Sequence, residues 1–102
     1  METSNREKVL NLIGLATRAR KTSMGTDIVI GSIQRSSAKI VFVASDASIE
    51  TVKKIKDKCD YYKVLCVNEF NTEELNSSVG KGNIKAISIN DKGFYESIKT
   101  LI

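Results

Sequence analysis

Residues Lys39-Ile40-Val41-Phe42-Val43-Ala44 form an apolar run with no alternation behind its leading lysine. A strand with one wet face alternates, so this one must be covered on both faces. That requirement calls for helices on either side of a sheet. The rest of the chain supplies them. Residues 5–19 carry Val9, Ile13 and Ala16 at helical spacing, with Asn5 as a cap. Arg18 to Gly25 is polar and small and reads as an exit loop with room for a short strand. Residues 26–35 mix β-branched Ile28, Val29 and Ile30 with a helical Val29/Ile33 spacing. They are read as a helix capped by Thr26 or Asp27. Ser48 caps a helix over 49–60, and 64–67 is a second strand. Residues 72–79 form a helix that Gly80 ends, and 86–89 is a third strand. Asn90 or Asp91 caps a last helix. Helices alternating with short buried strands predict an α/β fold, a three-layer α/β/α sandwich with a small mixed central sheet.

The length, 102 residues, suits a single domain spanning 1–102. There is no His, which removes the commonest general base and metal ligand, and with them Ser-His-Asp, Cys-His and HExxH chemistry. The chain is therefore read as non-enzymatic, with no cofactor, no metal and no small-molecule substrate. Cys59 and Cys66 are too few for a four-ligand zinc site. They are read as partly buried structural thiols in a reduced, cytoplasmic protein. No stretch has the length or apolarity of a signal peptide or a membrane span.

Charge is uneven. Residues 1–58 hold 11 basic and 6 acidic side chains, and residues 59–102 hold 5 and 6. No acid lies between Lys8 and Thr26, where Arg18, Arg20 and Lys21 cluster. Such a bias fits either a polyanion partner or a solvated surface. Gly25 lets a backbone approach closely at a helix entrance whose free amides attract phosphate. Asp27 there either accepts from base amino or imino groups or stabilises the helix dipole. Phe70, in the loop Asn68-Glu69-Phe70-Asn71, either stacks on an extruded base or tucks into the core. Gly80-Lys81-Gly82-Asn83 lacks the full phosphate-loop pattern and reads as a helix C-cap and turn, with Lys81 free to touch a polyanion. Loops 45–48, 68–71 and 90–93 follow strands, and with the Lys21–Asp27 loop they are expected to form one polar edge.

Several segments carry a resemblance in order and spacing across nearly the whole chain. They are Leu12-Ile13-Gly14-Leu15-Ala16-Thr17-Arg18-Ala19, Gly25, Ala38 to Ser48, Thr51-Val52-Lys53-Lys54, Asp57-Lys58-Cys59, Glu74-Leu75 and Val79-Gly80-Lys81. They resemble the kink-turn RNA-binding ribosomal-protein superfamily of the L-seven-Ae and L-thirty-e type, above all its small bacterial YlxQ-like members. The resemblance implies an α/β/α sandwich that binds sharply bent RNA with a bulge and tandem G·A pairs. It also implies a glycine–asparagine–glutamate motif on Gly25, Thr26 and Asp27, and a binding loop on Asn68 to Thr72 with Phe70 over a flipped-out nucleotide. The family's helix lysine falls near Ile30 or Gly31, neither of which is charged. Arg18, Arg20, Lys21 or Arg35 would supply that charge from another direction.

The expectation is thus an RNA-binding monomer, with structured RNA, ribosomal RNA among the candidates, as partner and no membrane. Its contacts are expected from Arg18, Arg20, Lys21, Gly25, Thr26, Asp27, Arg35, Asp46, Asn68, Glu69, Phe70, Asn71 and Lys81. The alternative is a protein–protein interaction module on the same fold.

Overall fold

The computed structural model describes residues 1–102. In chain order the elements are α1 (Thr3–Arg18), β1 (Thr22–Met24), α2 (Thr26–Gln34), β2 (Ile40–Val43), α3 (Ile49–Tyr62), β3 (Leu65–Val67), α4 (Thr72–Val79), β4 (Ala86–Ile89) and α5 (Lys92–Lys99). The sheet order is β1-β4-β2-β3. β2 and β3 are parallel, while β4 runs antiparallel to both β1 and β2.

The apolar run is the central strand. All of β2 is buried, and its side chains alternate between two cores. Ile40, Phe42 and Ala44 pack with Val9 and Ile13 of α1, Leu75 of α4 and Ile98 of α5. Val41 and Val43 pack with Val29 and Ile33 of α2 and Ile55 and Cys59 of α3. The expected three layers are present: α1, α4 and α5 on one face, α2 and α3 on the other. Burial of this kind stabilises at about 25 cal/mol per Å² of apolar area. No helix is long and apolar enough to cross a membrane.

Some caps differ from expectation. α1 starts before Asn5, with Glu2 at its N-cap and no side-chain cap. Asn5 instead donates to the Leu101 carbonyl at 3.3 Å, tying the two chain ends together. Neither Thr26 nor Asp27 caps α2, because both lie inside its first turn and Gly25 is the N-cap. Ser48 caps α3, accepting from the Thr51 amide, and Asp91 rather than Asn90 caps α5. Asn90 belongs to a polar cluster under α2. Its amide donates to Ser23 Oγ at 2.8 Å, and its carbonyl oxygen accepts from Ser88 at 2.9 Å and Ser32 at 3.3 Å. These partners satisfy the buried Ser32 and Ser88 hydroxyls.

Both thiols are free. Cys59 is fully buried in α3. The neighbouring Cys66 thiol, with burial, pushes the Cys59 thiol up and keeps it protonated.

Candidate nucleic-acid interface

Strand direction decides which loops meet. β1, β2 and β3 end where β4 begins: Met24 pairs with Ile87, Val43 with Ala86, and Phe42 with Val67. The Gly25 amide donates to Ala86 O at 3.0 Å and the Ala44 amide to Lys85 O at 2.8 Å. The turn at Gly25, the loop at 44–48, the loop at 68–71 and the start of β4 therefore share one end of the sheet, here the near end.

Gly25 has φ +99°, a conformation that disfavours any side chain. It turns the chain from β1 into α2, whose first-turn amides have no capping side chain. Thr26 is half-buried and Asp27 exposed, with the Asp27 carboxylate 3.8 Å from Lys54 Nζ of α3.

The two following loops are tied together. Asp46 Oδ1 accepts from the Thr72 amide at 2.9 Å and the Thr72 hydroxyl at 2.7 Å. These bonds hold its carboxyl below the usual range, the hydroxyl contributing most. Lys85 Nζ donates to the same hydroxyl at 3.0 Å. The Ser45 amide donates to Phe70 O at 2.9 Å. Asn71 caps α4, accepting from the Glu74 amide at 2.8 Å while Glu74 Oε1 accepts from the Asn71 amide at 3.0 Å. That backbone donor is the main reason the Glu74 carboxyl also titrates low, with Arg6 assisting. Buried Asn76 clamps the turn before β4, bonding both the amide and the carbonyl of Ile84. Gly80 ends α4 in a left-handed conformation, as expected, and Lys81 follows it, exposed.

Three expectations are corrected. Phe70 does not face solvent, since only 1% of it is exposed. Its ring packs 6.0 Å from that of Phe42 and is covered by the guanidinium of Arg6. The reading of Phe70 as a core residue is the one realised, because its flanking backbone is pinned to Ser45 and its ring is drawn into the α1 layer. Second, the 90–93 loop lies at the far end, because β4 runs against its neighbours. Third, Arg20 and Lys21 precede β1 and also lie at the far end, across a strand from Gly25, a separation of about 13 Å. Arg18 and Arg35 do not close that gap at the N-terminus of α2. Arg18 lies back along α1 beside Gly14, and the Arg35 guanidinium lies against Gly31. The near-end loops thus bring together Gly25, Thr26, Asp27, Asp46, Asn68, Glu69 and Asn71, but not the basic cluster.

Sequence reasoning missed Arg6, Asn76 and Lys85, which lock the loops, and exposed Ile28 and Ile49; Thr72, the last residue of the expected binding loop, locks it through Asp46. Ile28 is 60% exposed in the first turn of α2 and Ile49 86% exposed at the start of α3. The outward place of Ile28 beside Asp27 is visible in the helical spacing, since Val29, Ile30 and Ile33 take the inner face. The Arg6 contact spans 68 residues of sequence and left no local signal.

A model of the ribosomal protein L7Ae/L30e/S12e/Gadd45 family matches residues 7–100. The chain is 47% identical over its whole length to the RNA-binding protein YlxQ of Enterococcus faecium, covering 98% of that protein. It is 41% identical to the RNA-binding protein YlxQ of Bacillus subtilis, with 89% of this chain and 91% of that one aligned. A Bacillus halodurans protein of unknown function superposes with a TM-score of 0.88 at 35% identity, covering 92% of this chain and 95% of its own.

Proposed function

The chain belongs to the ribosomal protein L7Ae/L30e/S12e/Gadd45 family, and we propose that it is a non-enzymatic RNA-binding protein that takes a kink-turn or similarly bent RNA at the near end of its sheet. The observation that carries this reading is the meeting there of the Gly25 turn, the open N-terminus of α2 and the two loops joined through Asp46 and Thr72. The α2 amides suit a phosphate. The Asp27 carboxylate suits guanine donors. With Phe70 in the core, Ile28 and Ile49 offer the exposed apolar surface on which a base or sugar can rest. Asp46 and Asn71 are committed to neighbouring backbone and act by holding the loops in place.

The support is the family membership, the RNA-binding names of the YlxQ relatives and this preformed edge. The test is binding to a kink-turn duplex and to the same duplex with its G·A pairs made Watson–Crick. Preference for the kink-turn supports the reading, and equal affinities remove the shape-specific part. A protein-docking module is the second reading. What favours it is the mixed charge of the near end, where Asp27 pairs with Lys54 and Asp46 stands near Lys85 among the acids Glu50, Glu69 and Glu73. RNA-free pull-down of a partner together with no binding to structured RNA would select it.

A further inference from the structure

Four cations, Arg20, Lys21, Lys39 and Lys63, lie at the end of the sheet opposite the site just described. Lys21 precedes β1, Lys39 precedes β2 and Lys63 precedes β3. The Lys39 amide donates to Ile89 O at 2.8 Å and the Asn90 amide to Lys21 O at 2.7 Å, so these residues form a row across the strand ends. Arg20 stands beside Lys21 in the turn after α1. All four side chains are exposed, and none has an ion-pair partner. The acids facing this end are Asp60 and Asp91, and Asp91 is engaged by the Phe94 amide.

Two further observations point the same way. Arg20 and Lys63 have φ of +61° and +58°, left-handed conformations that glycine or asparagine adopts at less cost. Long cations therefore stand where the backbone alone favours a smaller residue. Aromatic rings also lie among the cations. Tyr61 is 79% exposed and packs edge-on against Tyr62, with centroids 4.9 Å apart. Tyr62 borders a hollow of about 290 Å³ shared with Lys39 and Lys63.

We propose that this far end is a second RNA surface that grips the phosphate backbone without regard to sequence, beside the shape-reading near end. Unpaired cations interleaved with exposed tyrosine rings match a nucleic-acid backbone with accessible bases. The molecule measures 30 × 26 × 23 Å, so one folded RNA can reach both ends. The inference rests on the RNA-binding reading above.

The test uses the two left-handed positions, where glycine keeps the backbone as it is. Full-length Arg20→Gly/Lys63→Gly is compared with wild type and with Lys8→Gln/Lys99→Gln, which removes the same charge elsewhere. Binding to the kink-turn duplex and to its Watson–Crick counterpart is measured between about 50 and 200 mM salt. The far-end pair should weaken both RNAs by the same factor, roughly tenfold. It should keep their ratio and make the log–log salt slope shallower by about 1 to 2. The control pair should change the slope much less. Equal effects from the two pairs, or an unchanged slope in the far-end pair, overturn the proposal while RNA binding by the wild type stands. If the wild type binds neither RNA, the broader RNA-binding reading has failed first. Loss of binding to anionic lipid vesicles with RNA binding intact assigns the surface to a membrane and overturns it too.

Discussion

The Arg6 guanidinium stands 4.6 Å from the centroid of the Phe70 ring, and the same group bonds the Glu74 carboxylate at 2.8 Å. One side chain near the start of the molecule thus covers the aromatic residue of the 68–71 loop and anchors the helix after it. Phe70→Ala should behave as a core truncation, lowering stability by about 3–5 kcal/mol in chemical denaturation. Phe70→Leu, which keeps the core filled, should retain RNA affinity. If Phe70→Leu abolished RNA binding with its melting temperature unchanged, the ring would have to leave the core and reach the RNA.

Acid sensitivity follows from Asp46 and Glu74. Both carboxyls are held below their ordinary values by hydrogen bonds made only in the folded state. Their contribution is complete above the unfolded carboxylate values, about pH 4, and is lost as pH falls through the folded ones. Asp46→Asn should flatten the fall of melting temperature below about pH 4 and leave the neutral-to-alkaline limb parallel to wild type. An unchanged acid limb in both Asp46→Asn and Glu74→Gln would sink this assignment.

Two helical glycines should respond in opposite directions to alanine. A Cβ at Gly14 would stand 2.6 Å from the Ser78 carbonyl oxygen, a backbone atom at the contact of α1 with α4. A Cβ at Gly31 would meet the tip of Arg35 at 3.0 Å, and that flexible tip can swing away. Alanine is favoured over glycine inside a helix by about 1 kcal/mol. Gly31→Ala should therefore stabilise by up to about that amount, and Gly14→Ala should destabilise by roughly 1–3 kcal/mol. Urea midpoints of the two variants check the contrast.

Lys63→Gly provides a stability test that needs no ligand. Its left-handed φ of +58° costs a side chain about 1 kcal/mol, partly offset by the greater freedom glycine gains on unfolding. The variant should gain a few tenths to about 1 kcal/mol. A loss of that size would mean that the lysine makes a stabilising contact at the end of α3.

Local spacing was enough to read the elements. The unalternating run at 40–44 required a strand covered on both faces, and Ser48 and Gly80 marked helix ends through backbone chemistry confined to a few residues. Gly25 was legible because a turn into a helix that demands positive φ leaves glycine in the sequence. The assembly of the site was less legible. Strand direction is a relation between distant segments, and β4 runs against its neighbours. That reversal sends the 90–93 loop to the far end while β4 begins beside Gly25. The acid-free stretch before Gly25 was plain in the sequence, yet a three-residue β1 runs between Lys21 and Gly25 and carries the cations to the opposite pole. Phe70 stood as both a base-stacking and a core candidate, and it was settled by Phe42 and Arg6, 28 and 64 positions away. Patterns within a few residues reveal what each segment becomes, because backbone bonding and amphipathic spacing are local. Which side chains share an end of the sheet depends on strand direction and long-range packing, and those exist only in the folded chain.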